Sequence, residues 1–548
     1  MVNTRLHSLA LLIFGVTFSC QAPKVDDEKI STSQVASSPN GIVVTAHPLA
    51  TQAGVLMLER DGNAIDAAVA AGFALSVVEP TMSGLGGRLQ AILRTSDGNL
   101  SGYDATTQAP LSYDPETAPR ASSGYPTIGV PGVVKGLTTL LEAHGTLSLE
   151  EVMAPAIRYA QEGYKVLAGE ASRRGSAIKT IRKFDGTSQY FLNGDTTHQE
   201  GELFVQADLA RTLRLIAEGG ADVFYRGEIA SKIVADMKAN GAALDSVSLA
   251  SYSVNPSKIV KGSYRGYDLS GLWMPSYGAI TIEMLHIMEN FEMNEVTEAQ
   301  WGRIVYESNA LAYADRRTQD ADSNMTILTD KAYAKSLAAK IVQKELKQAA
   351  QLRSQENTPE AWLALEGHTT HLSVADKEGN MIALTQSLGP NMGSKVATAG
   401  LGFLYASTTG GYLSDFQPGQ RASSHISPFI ITKDDQPYLA LGAAGGSMIV
   451  TAIVQTISRF IDRGLTLEQA LAAGRVHASD SMLVETHLGS TWTREDISQF
   501  ESWGLPVKEV ESQGSFGRVH AIYYDALTKT WHGAADPDWE GTADTPEK

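Results

Sequence analysis

The most informative pattern of hydrophobic and polar residues lies in two short runs separated by a polar turn. Residues 371–375, His-Leu-Ser-Val-Ala, alternate polar and apolar side chains, which is typical of a half-buried strand. Residues 376–380 supply Asp, Gly and Asn for a hairpin turn, and residues 381–385 provide the partner strand. The pattern therefore predicts a β-hairpin whose first strand opens at the pair Thr369 and Thr370.

The chain between residue 40 and this hairpin predicts strands and helices in alternation. The elements expected first are a strand at 41–45, helices at 47–60 and 64–78, and a strand at 89–93. The second helix is rich in alanine, so we expect it to be buried and closely packed, and Glu79-Pro80 ends it. The glycine-rich residues 82–87 neither follow a strand nor open a helix, so they indicate a close backbone approach and not a nucleotide loop.

The rest of the chain continues this mixture of helices and strands. The expected elements are helices at 150–162, 206–218, 228–240, 280–290, 304–315, 447–462 and 467–473, and a strand at 267–272. Strands dominate after Thr369. Strand runs with helices on their outer faces favour an α/β (α+β) fold built as a layered sandwich, with no clear domain linker after residue 40.

Composition narrows the function. The chain has 548 residues, of which 43% are hydrophobic and 19% charged, as in a globular protein. Its 61 acidic and 44 basic residues give a formal charge of −17, which argues against nucleic acid or an anionic membrane surface as the main partner. The twelve histidines show no spacing typical of a zinc site, so we expect neither a catalytic metal nor a cofactor.

The N-terminus has the pattern of an export signal. Arg5 and His7 precede an apolar run at 9–16 that is too short to span a bilayer. Cys20, the single cysteine, stands where a bacterial lipoprotein signal is cut and lipidated. Residues 1–20 therefore predict a signal peptide of an exported protein, periplasmic or anchored through a lipid on Cys20. Plain secretion and an incidental apolar start are the alternatives.

The polar residues that follow Cys20 change little in this picture. Residues 21–39 are rich in serine and predict a flexible tether. One cysteine allows no intrachain disulfide, so the stability of the fold must come from its core.

The threonine that opens the hairpin has a specific chemical possibility. If the chain cut itself between His368 and Thr369, the new α-amine would lie beside the Thr369 hydroxyl and could take its proton. One residue would then supply both nucleophile and base. The sequence Thr-Thr-His is common, so this hypothesis depends on the rest of the chain.

Several other motifs, in one order along the chain, resemble the γ-glutamyltransferase (glutathione hydrolase) family of N-terminal-nucleophile hydrolases. The resemblance extends from about residue 41 to residue 537. The matching segments are 62–70, 84–87, 130–136, 144–146, 205–210, 224–227, 264–267, 312–316, 423–424, 427–428, 445–447 and 535–537. Each segment alone is a weak signal, but their shared order makes the resemblance specific.

The resemblance implies a four-layer αββα sandwich and self-cleavage at the hairpin. The bond between His368 and Thr369 would be cut, giving a large subunit, residues 40–368, and a small subunit, residues 369–548. Both would stay together as one composite unit. The implied substrate is a small amide or peptide such as glutathione.

The resemblance also assigns catalytic roles. Thr369 is the expected nucleophile in self-cleavage and in turnover. Ser387 stands where the family has a second threonine whose hydroxyl touches the nucleophile. Gly445 and Gly446 match the pair whose backbone N–H groups form an oxyanion hole, where glycine allows close approach of the substrate.

The substrate pocket departs from the family pattern. Ser423 and Ser424 match a serine pair that binds the substrate carboxylate. The family's carboxylate-binding arginine is replaced by Thr106, which removes a bidentate, directional anchor. Arg421, close to the serines, is either a replacement anchor or a member of a surface salt bridge.

The residues that hold the substrate α-amino group are also altered. Without gaps, the family's Gln and Asp align with Thr408 and Gly411, whereas a shift of four residues would instead keep an acid at Asp415. The family's asparagine after the second hydroxyl is Gly389 here. We therefore expect retained hydrolytic machinery and a partly rewritten pocket.

Three functions remain open from the sequence. The first is cleavage of γ-glutamyl amides such as glutathione through an acyl-enzyme on Thr369. The second is an acylase that takes a different acyl group. The third is a catalytically silent, surface-anchored binding relative. His371 shares a strand face with Thr369, and its expected role is structural rather than that of a base.

Overall fold

The computed structural model describes residues 31–316, 319, 322–342, 368–411, 416–487 and 491–547. Three predicted features lie outside the described residues: the signal peptide with Cys20, residues 21–30 of the tether, and Asp415. Among the described residues, no helix combines the length and the hydrophobicity needed to cross a bilayer.

Helices flank the sheets along the whole described chain. They are α1 Pro48–Glu59, α2 Ala64–Val78, α3 Val133–His144, α4 Leu149–Glu162, α5 Ala168–Ile181, α6 Asp185–Phe191, α7 Ala207–Tyr225, α8 Glu228–Ala239, α9 Ser246–Ala250, α10 Gly278–Met288, α11 Glu298–Asp315, α12 Asp322–Leu328, α13 Lys331–Val342, α14 Ile449–Ile461, α15 Leu467–Ala472 and α16 Arg494–Ser502.

The strands are short at the periphery and longest around the predicted hairpin. They are β1 Val35–Ser38, β2 Gly41–Thr45, β3 Arg88–Arg94, β4 Leu100–Ala105, β5 Tyr164–Lys165, β6 Leu192–Asn193, β7 Thr196–Thr197, β8 Leu203–Phe204, β9 Asn255–Pro256, β10 Ile259–Tyr264, β11 Tyr267–Leu272, β12 His368–Asp376, β13 Met381–Gly389, β14 Phe429–Lys433, β15 Gln436–Ala444, β16 Val476–Ala478, β17 Met482–Glu485, β18 Val507–Val510, β19 Arg518–Asp525, β20 Thr530–Ala535 and β21 Thr542–Asp544.

Two seven-stranded antiparallel sheets form the centre of the molecule. The first has the order β21-β2-β12-β13-β3-β4-β9, and the second has the order β1-β20-β19-β15-β14-β11-β10. The predicted hairpin is β12–β13, in the middle of the first sheet, with Leu372 opposite Leu384. Its place between β2 and β3 explains why both strands are buried on both faces.

Three hydrophobic cores define the layers. The core between the sheets contains Ile42 and Ala383 from the first sheet and Ile430 and Ile522 from the second. A second core joins α1–α4 and α7 to the outer face of the first sheet. A third core joins α10, α11 and α14 to the outer face of the second sheet. The order helix, sheet, sheet, helix confirms the predicted αββα sandwich.

Helix α2 shows how the sequence produces this packing. All of its residues are buried, and its N-terminus is closed by a capping box between Asn63 and Asp66. Gly72 approaches the sheet so closely that its carbonyl accepts a hydrogen bond of 3.0 Å from Gln386 Nε2 on β13. Small side chains therefore allow the helix to lie directly on the hairpin, as its alanine content predicted.

Some boundaries differ from the sequence-based expectation. Strand β1 lies inside residues 21–39, the predicted tether, because Val35–Ser38 pairs with β20 and forms the edge of the second sheet. The last part of that segment is therefore an ordered strand. Helix α7 continues seven residues beyond the predicted end at 218, with a break at Gly220, where φ is 66°. Glycine adopts this left-handed conformation without strain, so the chain bends and resumes the helix.

A buried carboxylate connects α2 to the loop before α4, and we expect its removal to destabilise the fold. Asp66 is fully buried and accepts hydrogen bonds from the Thr146 backbone (2.9 Å) and hydroxyl (2.7 Å). Asp66→Ala leaves these donors unpaired and should cost about 3 kcal/mol of stability, seen as a lower thermal midpoint. The control Glu142→Ala removes an exposed side chain from the regular helix α3 and should change stability by less than about 0.5 kcal/mol. Equal midpoints for both variants would contradict this assignment.

Candidate active site

The predicted nucleophile lies at the start of β12, opposite Ser387 on β13. The two hydroxyl oxygens are 2.9 Å apart, and the residues are only 4% and 3% exposed. His368 is opposite Gly389 and Thr369 is opposite Ser387, so Leu388 is an extra residue on β13. Such a bulge re-aims side chains next to it. The bulge thus places the two hydroxyls face to face at the bond that was predicted to be cut.

The hydrogen bonds of Ser387 fix the direction of the contact with Thr369. The Ser387 hydroxyl donates to the His368 carbonyl oxygen at 3.1 Å and accepts from the Gly389 N–H at 2.9 Å. A hydroxyl has one proton to donate. Since that proton is used on His368, the Thr369 hydroxyl must donate to Ser387. The Ser387 oxygen therefore contacts both the Thr369 hydroxyl and the His368 carbonyl group that Thr369 would attack.

His371 is held between the two sheets, away from this exchange. Its Nε2 is 3.0 Å from Ser373 Oγ, which itself donates to the His520 carbonyl, so Nε2 carries the proton. Its Nδ1 then accepts from Thr385 Oγ1 at 2.8 Å. Burial lowers the pKa of His371 well below its usual value, which keeps the ring neutral. These contacts agree with the predicted structural role.

His371 also brings β15 close to the nucleophile strand. A Cβ atom added at Gly442 would lie 2.4 Å from the His371 ring, so only glycine allows this approach. Strand β15 ends at Ala444 and is followed by Gly445, where φ is 139°, and by a turn of 3₁₀ helix before α14. The contact between His371 and Gly442 therefore sets the distance between the nucleophile strand and the predicted oxyanion hole.

The predicted oxyanion pair lies at a helix start. Gly445 precedes the 3₁₀ turn Gly446–Met448, which leads directly into α14. The first N–H groups of a helical segment have no partner within it and favour negative charge. A Cβ added at Gly445 would lie 2.6 Å from the Gly517 backbone, so this position requires glycine. The local geometry suits the predicted role.

Thr106 and Thr408 belong to a second group of residues. Thr106 is fully buried, and both its N–H and its hydroxyl donate to Asp104 Oδ1, at 2.9 and 2.5 Å. Thr408 Oγ1 donates to Thr107 Oγ1 at 2.8 Å. This group joins the nucleophile hairpin through Ser407, whose N–H donates to the Leu388 carbonyl at 3.0 Å. The Thr106 hydroxyl is therefore committed to Asp104, and no hydrogen bond in the described chain links Thr106 to Thr369.

Arg421 packs against the same group. Its Nη1 donates to the Thr106 carbonyl at 2.8 Å, and its Nη2 donates to the Ser253 carbonyl. The guanidinium lies 4.2 Å from the Tyr252 ring centre. Within the described chain it makes no salt bridge, and its main donors are already used on carbonyl groups.

Ser423 and Ser424 are half-buried next to this group. The Ser424 N–H donates to the Pro275 carbonyl at 3.0 Å, and its hydroxyl accepts weakly from the Ile426 N–H. A neighbouring cleft of about 490 Å³ is lined by residues that include Asp104, Met274 and Gln420, but not Thr369. The structure thus brings the serine pair and the Thr106 group to one side, with the nucleophile on the adjoining hairpin.

The sequence analysis missed a set of buried charges beside Thr369. Thr370 Oγ1 donates to Glu79 Oε2 at 2.7 Å, and Arg173 Nη2 is 3.7 Å from Glu79 Oε1. Glu79 was noted only as a helix stop, and Arg173 belongs to a helix more than 190 residues from the hairpin. The only sequence signal for these buried charges was the position of a carboxylate, Glu79, directly after a helix predicted to be buried.

Glu485, His487 and Asp538 have ligand atoms within 4.8 Å of one another, a spacing that a metal ion could accept. His487 Nε2 is 2.8 Å from Asp538 Oδ1, and Arg475 Nη1 is 3.7 Å from Glu485 Oε2. These partners already account for the buried charges. The group does not include Thr369, and no step below uses it.

The fold and this hairpin together define a class of enzyme. An αββα sandwich with a buried threonine at the head of a central strand is the arrangement of an N-terminal-nucleophile hydrolase. The sequence model of the gamma-glutamyltranspeptidase family matches residues 50–545. The chain therefore belongs to the gamma-glutamyltranspeptidase family, as its motifs predicted.

Individual relatives agree with this family. The chain is 33% identical over 539 residues to the glutathione hydrolase proenzyme of Pseudomonas sp. strain A14, covering 91% of this chain and 89% of that protein. It is 33% identical over 528 residues to the acylase ACY 1 proenzyme of Pseudomonas sp. strain SE83, covering 89% and 88%. The crystal structure of cephalosporin acylase from Bacillus halodurans has a TM-score of 0.84 at 28% identity, covering 97% of this chain and all of that chain. Relatives with two kinds of named activity therefore match nearly the whole chain.

The geometry of Ser387 predicts a specific effect on self-cleavage. Ser387→Ala removes the acceptor for the Thr369 hydroxyl and the donor to the His368 carbonyl, so cleavage should slow by roughly 100-fold. Ser387→Thr keeps the hydroxyl and should cleave close to the wild-type rate. Appearance of the two fragments with time on a denaturing gel measures both rates. Equal rates for the alanine and threonine variants would contradict the bridging role.

The buried Glu79 predicts a pH dependence of stability. Burial raises the pKa of Glu79 from 4.5 to about 7, against the opposing effect of Arg173. The folded state thus keeps the proton that the unfolded state loses, so this contribution to stability is complete below pH 4.5 and is lost as the pH rises to 7. The loss is on the order of 3 kcal/mol. Thermal midpoints from pH 4.5 to 7.5 should fall less for Glu79→Gln than for the wild type, and parallel curves would refute the assignment.

Proposed function

We propose that this protein is a self-cleaving threonine amidohydrolase and acyltransferase that acts on γ-glutamyl amides such as glutathione. The observation that carries the proposal is the chain of contacts from Thr369 Oγ1 through Ser387 Oγ to the His368 carbonyl oxygen, at 2.9 and 3.1 Å. This arrangement joins a hydroxyl nucleophile, a proton path and the bond to be cut. The enzymes named among the relatives support the substrate class.

Self-cleavage begins with attack of Thr369 Oγ1 on the carbonyl carbon of His368. The hydroxyl proton passes through Ser387 Oγ towards the developing oxyanion. When the C–N bond breaks, the Thr369 nitrogen takes that proton and becomes a free amine, and His368 is left as an ester on Thr369 Oγ1. Water then hydrolyses the ester and releases the His368 carboxylate.

Turnover repeats this chemistry on a substrate amide. The free Thr369 amine takes the hydroxyl proton as Oγ1 attacks the amide carbon, and the Gly445 and Gly446 N–H groups hold the oxyanion. The leaving amine receives the proton, and the acyl group stays on Oγ1 as an ester. Water then completes hydrolysis, or a second amine completes transfer.

The two fragments, residues 40–368 and 369–548, stay associated after the cut. Strand β12 pairs with β2, strand β13 pairs with β3, and strand β14 pairs with β11, so each pair crosses between the fragments. These ladders and the shared cores do not depend on the bond between His368 and Thr369. Cleavage therefore frees the nucleophile without separating the sheets.

An acylase acting on a non-γ-glutamyl group is the second candidate. The observation that favours it is Thr106, whose buried side chain is bound to Asp104 and offers no guanidinium to a substrate carboxylate. The acylase relative named above is as similar to this chain as the glutathione hydrolase relative is.

We further propose that the protein is exported with residues 1–20 as its signal peptide and is anchored through a lipid on Cys20. The support is the sequence pattern of the N-terminus. Metabolic labelling with a palmitate analogue should mark the wild type and leave Cys20→Ser unlabelled.

The central experiment uses Thr369 itself. Purified wild-type protein should give two bands on a denaturing gel, with threonine at the N-terminus of the smaller fragment. Thr369→Ala should remain one chain and lose at least roughly 1,000-fold in amidase activity, whereas Thr369→Ser keeps a hydroxyl and should be cut. An unbroken wild-type chain would favour a silent binding relative. Mature enzyme should release nitroaniline when it is given γ-glutamyl and simple acyl p-nitroanilides. Faster cleavage of the γ-glutamyl substrate favours the first enzyme candidate, and faster cleavage of a simple acyl substrate favours the acylase.

A further inference from the structure

Three basic side chains from separate parts of the chain act electrostatically on the residue before the nucleophile. They are Arg173 on α5, Lys395 in the loop after β13, and Arg518 at the start of β19, and we call them the cation cluster. The pKa of His368 is held well below its usual value by burial and by the positive charges of all three. Arg173 is also linked to the nucleophile strand through Glu79, whose Oε1 is 3.7 Å from Arg173 Nη2 and whose Oε2 accepts a hydrogen bond of 2.7 Å from Thr370 Oγ1.

Arg173 and Arg518 meet on one aromatic ring. Their guanidinium carbons lie 5.3 and 5.7 Å from the ring centre of Trp539. Both residues are buried, at 7% exposure each. Like charges this close repel, and the repulsion by Arg173 together with burial lowers the pKa of Arg518. Such a pair requires an anion to balance it.

Arg518 also borders the predicted oxyanion hole. It is opposite Ala444 in the pairing of β15 and β19, and Ala444 immediately precedes Gly445. Its neighbour Gly517 is the residue that packs on Gly445. Arg518 thus stands beside the N–H groups that would face a reacting carbonyl.

Lys395 is held in place by a loop with unusual backbone angles. Met392, Gly393 and Lys395 have φ values of 59°, 56° and 61°, and left-handed non-glycine residues are costly. Thr187 Oγ1 donates to the Lys395 carbonyl at 2.7 Å, and Lys395 Nζ donates to the Gly393 carbonyl at 3.2 Å. Burial lowers the pKa of this ammonium group to about 8, so it is still mostly charged at neutral pH. Strain of this kind concentrates at functional sites.

The acidic groups near the cation cluster do not balance it. In the described chain Lys395 and Arg518 form no salt bridge, and Arg518 Nε and Arg173 Nη1 are buried without a hydrogen-bond partner. Glu170 is shared between Arg173 and Arg174, at 3.3 and 2.9 Å. Glu79 is partly protonated near pH 7 because of its raised pKa.

The two aspartates that face Arg518 are bound elsewhere. Asp536 Oδ2 is 2.6 Å from Arg475 Nη2, and Asp538 Oδ1 is 2.8 Å from His487 Nε2. Both carboxylates therefore have nearer partners than Arg518, and they attract the Arg518 guanidinium without forming a salt bridge to it.

The chemistry of the two reactions places a substrate in this same position. During self-cleavage His368 is the acyl group carried by Thr369 Oγ1, and during turnover the substrate acyl group is attached to the same atom. His368 leaves after cleavage, so the incoming acyl group enters the space next to the three cations. Neutral His368 tolerates that space, whereas a carboxylate would be attracted to it.

We propose that the cation cluster binds a carboxylate on the substrate acyl group and so replaces the arginine that is missing at Thr106. The idea rests on the proposed function, because it assigns the pocket of that reaction. A γ-glutamyl group meets this requirement through its α-carboxylate, and a simple dicarboxylic half-amide such as a glutaryl amide meets it without an amine. The cluster therefore selects acyl groups by their negative charge.

The test compares two substrates that differ only in this charge. Glutaryl-p-nitroanilide carries a free carboxylate, and its methyl ester has the same chain without the charge. Mature wild-type enzyme should prefer the acid in kcat/KM by at least tenfold. Arg518→Gln and Lys395→Gln should raise KM for the acid roughly 10- to 100-fold and leave KM for the ester within about twofold. Equal losses on both substrates would overturn the proposal.

Arg421 supplies the competing assignment. Arg421→Gln removes the guanidinium that is bonded to the Thr106 and Ser253 carbonyls. If this variant, and not Arg518→Gln, lost the acid selectively, the anchor would be Arg421 and the cluster assignment would be wrong. All variants are first checked on a denaturing gel, so that kinetics are measured on cleaved enzyme only.

A second measurement applies if Arg518→Gln does not mature. Glutarate should inhibit mature wild-type enzyme competitively. Its Ki should be at least tenfold below the Ki of dimethyl glutarate, which has the same chain without the negative charges. Added salt should weaken the inhibition by glutarate. Similar Ki values would overturn the cluster assignment. If the wild type cleaves no amide in any panel, the proposed function itself fails. If it cleaves acid and ester equally well, only the carboxylate anchor fails.

Discussion

The contact of one serine hydroxyl with two groups constrains the rest of this structure. Ser387 Oγ is hydrogen-bonded to Thr369 Oγ1 and to the His368 carbonyl at once. Side chains alternate across a strand, so a shift of one residue in the pairing of β12 and β13 would turn one hydroxyl to the wrong face. The bulge at Leu388 sets this register locally, and the burial of both strands on both faces fixes it over their full length.

The second sheet carries the part of the predicted active site that the hairpin lacks. The predicted oxyanion glycines directly follow β15, which belongs to a different sheet from Thr369. Only close packing between the sheets can bring them near each other. The neutral ring of His371 packs against Gly442 and so fills the space between the two sheets. Its hydrogen bonds to Thr385 and Ser373 prevent an unsatisfied polar group from weakening the dry core.

The charges around the pocket determine its affinity for carboxylates. A pocket that loses the usual arginine at Thr106 does not have to lose its affinity for carboxylates, because positive charge can enter from other elements. Arg173, Lys395 and Arg518 come from a helix, a strained loop and a strand of the second sheet. The acids around them are shared with other arginines, partly protonated, or paired with nearer partners. Family membership therefore identifies the class of reaction, while the arrangement of these charges is known only from the fold of this chain.

The sequence by itself determined the sandwich, the hairpin and the family. Alternation marked β12 and β13, alanine content marked the buried helix α2, and the ordered motifs marked Thr369, Ser387 and the two glycines, because these signals are local in the chain. It placed β1 in a tether, since a short edge strand is recognisable only by its partner β20. Only the tertiary structure decided that Thr106 is bound to Asp104, that Arg421 is held by carbonyl groups, and that Arg173 and Arg518 pack on the same ring of Trp539. Hydrogen bonds and charge between residues far apart in sequence depend on how the layers pack, and no local pattern records that packing.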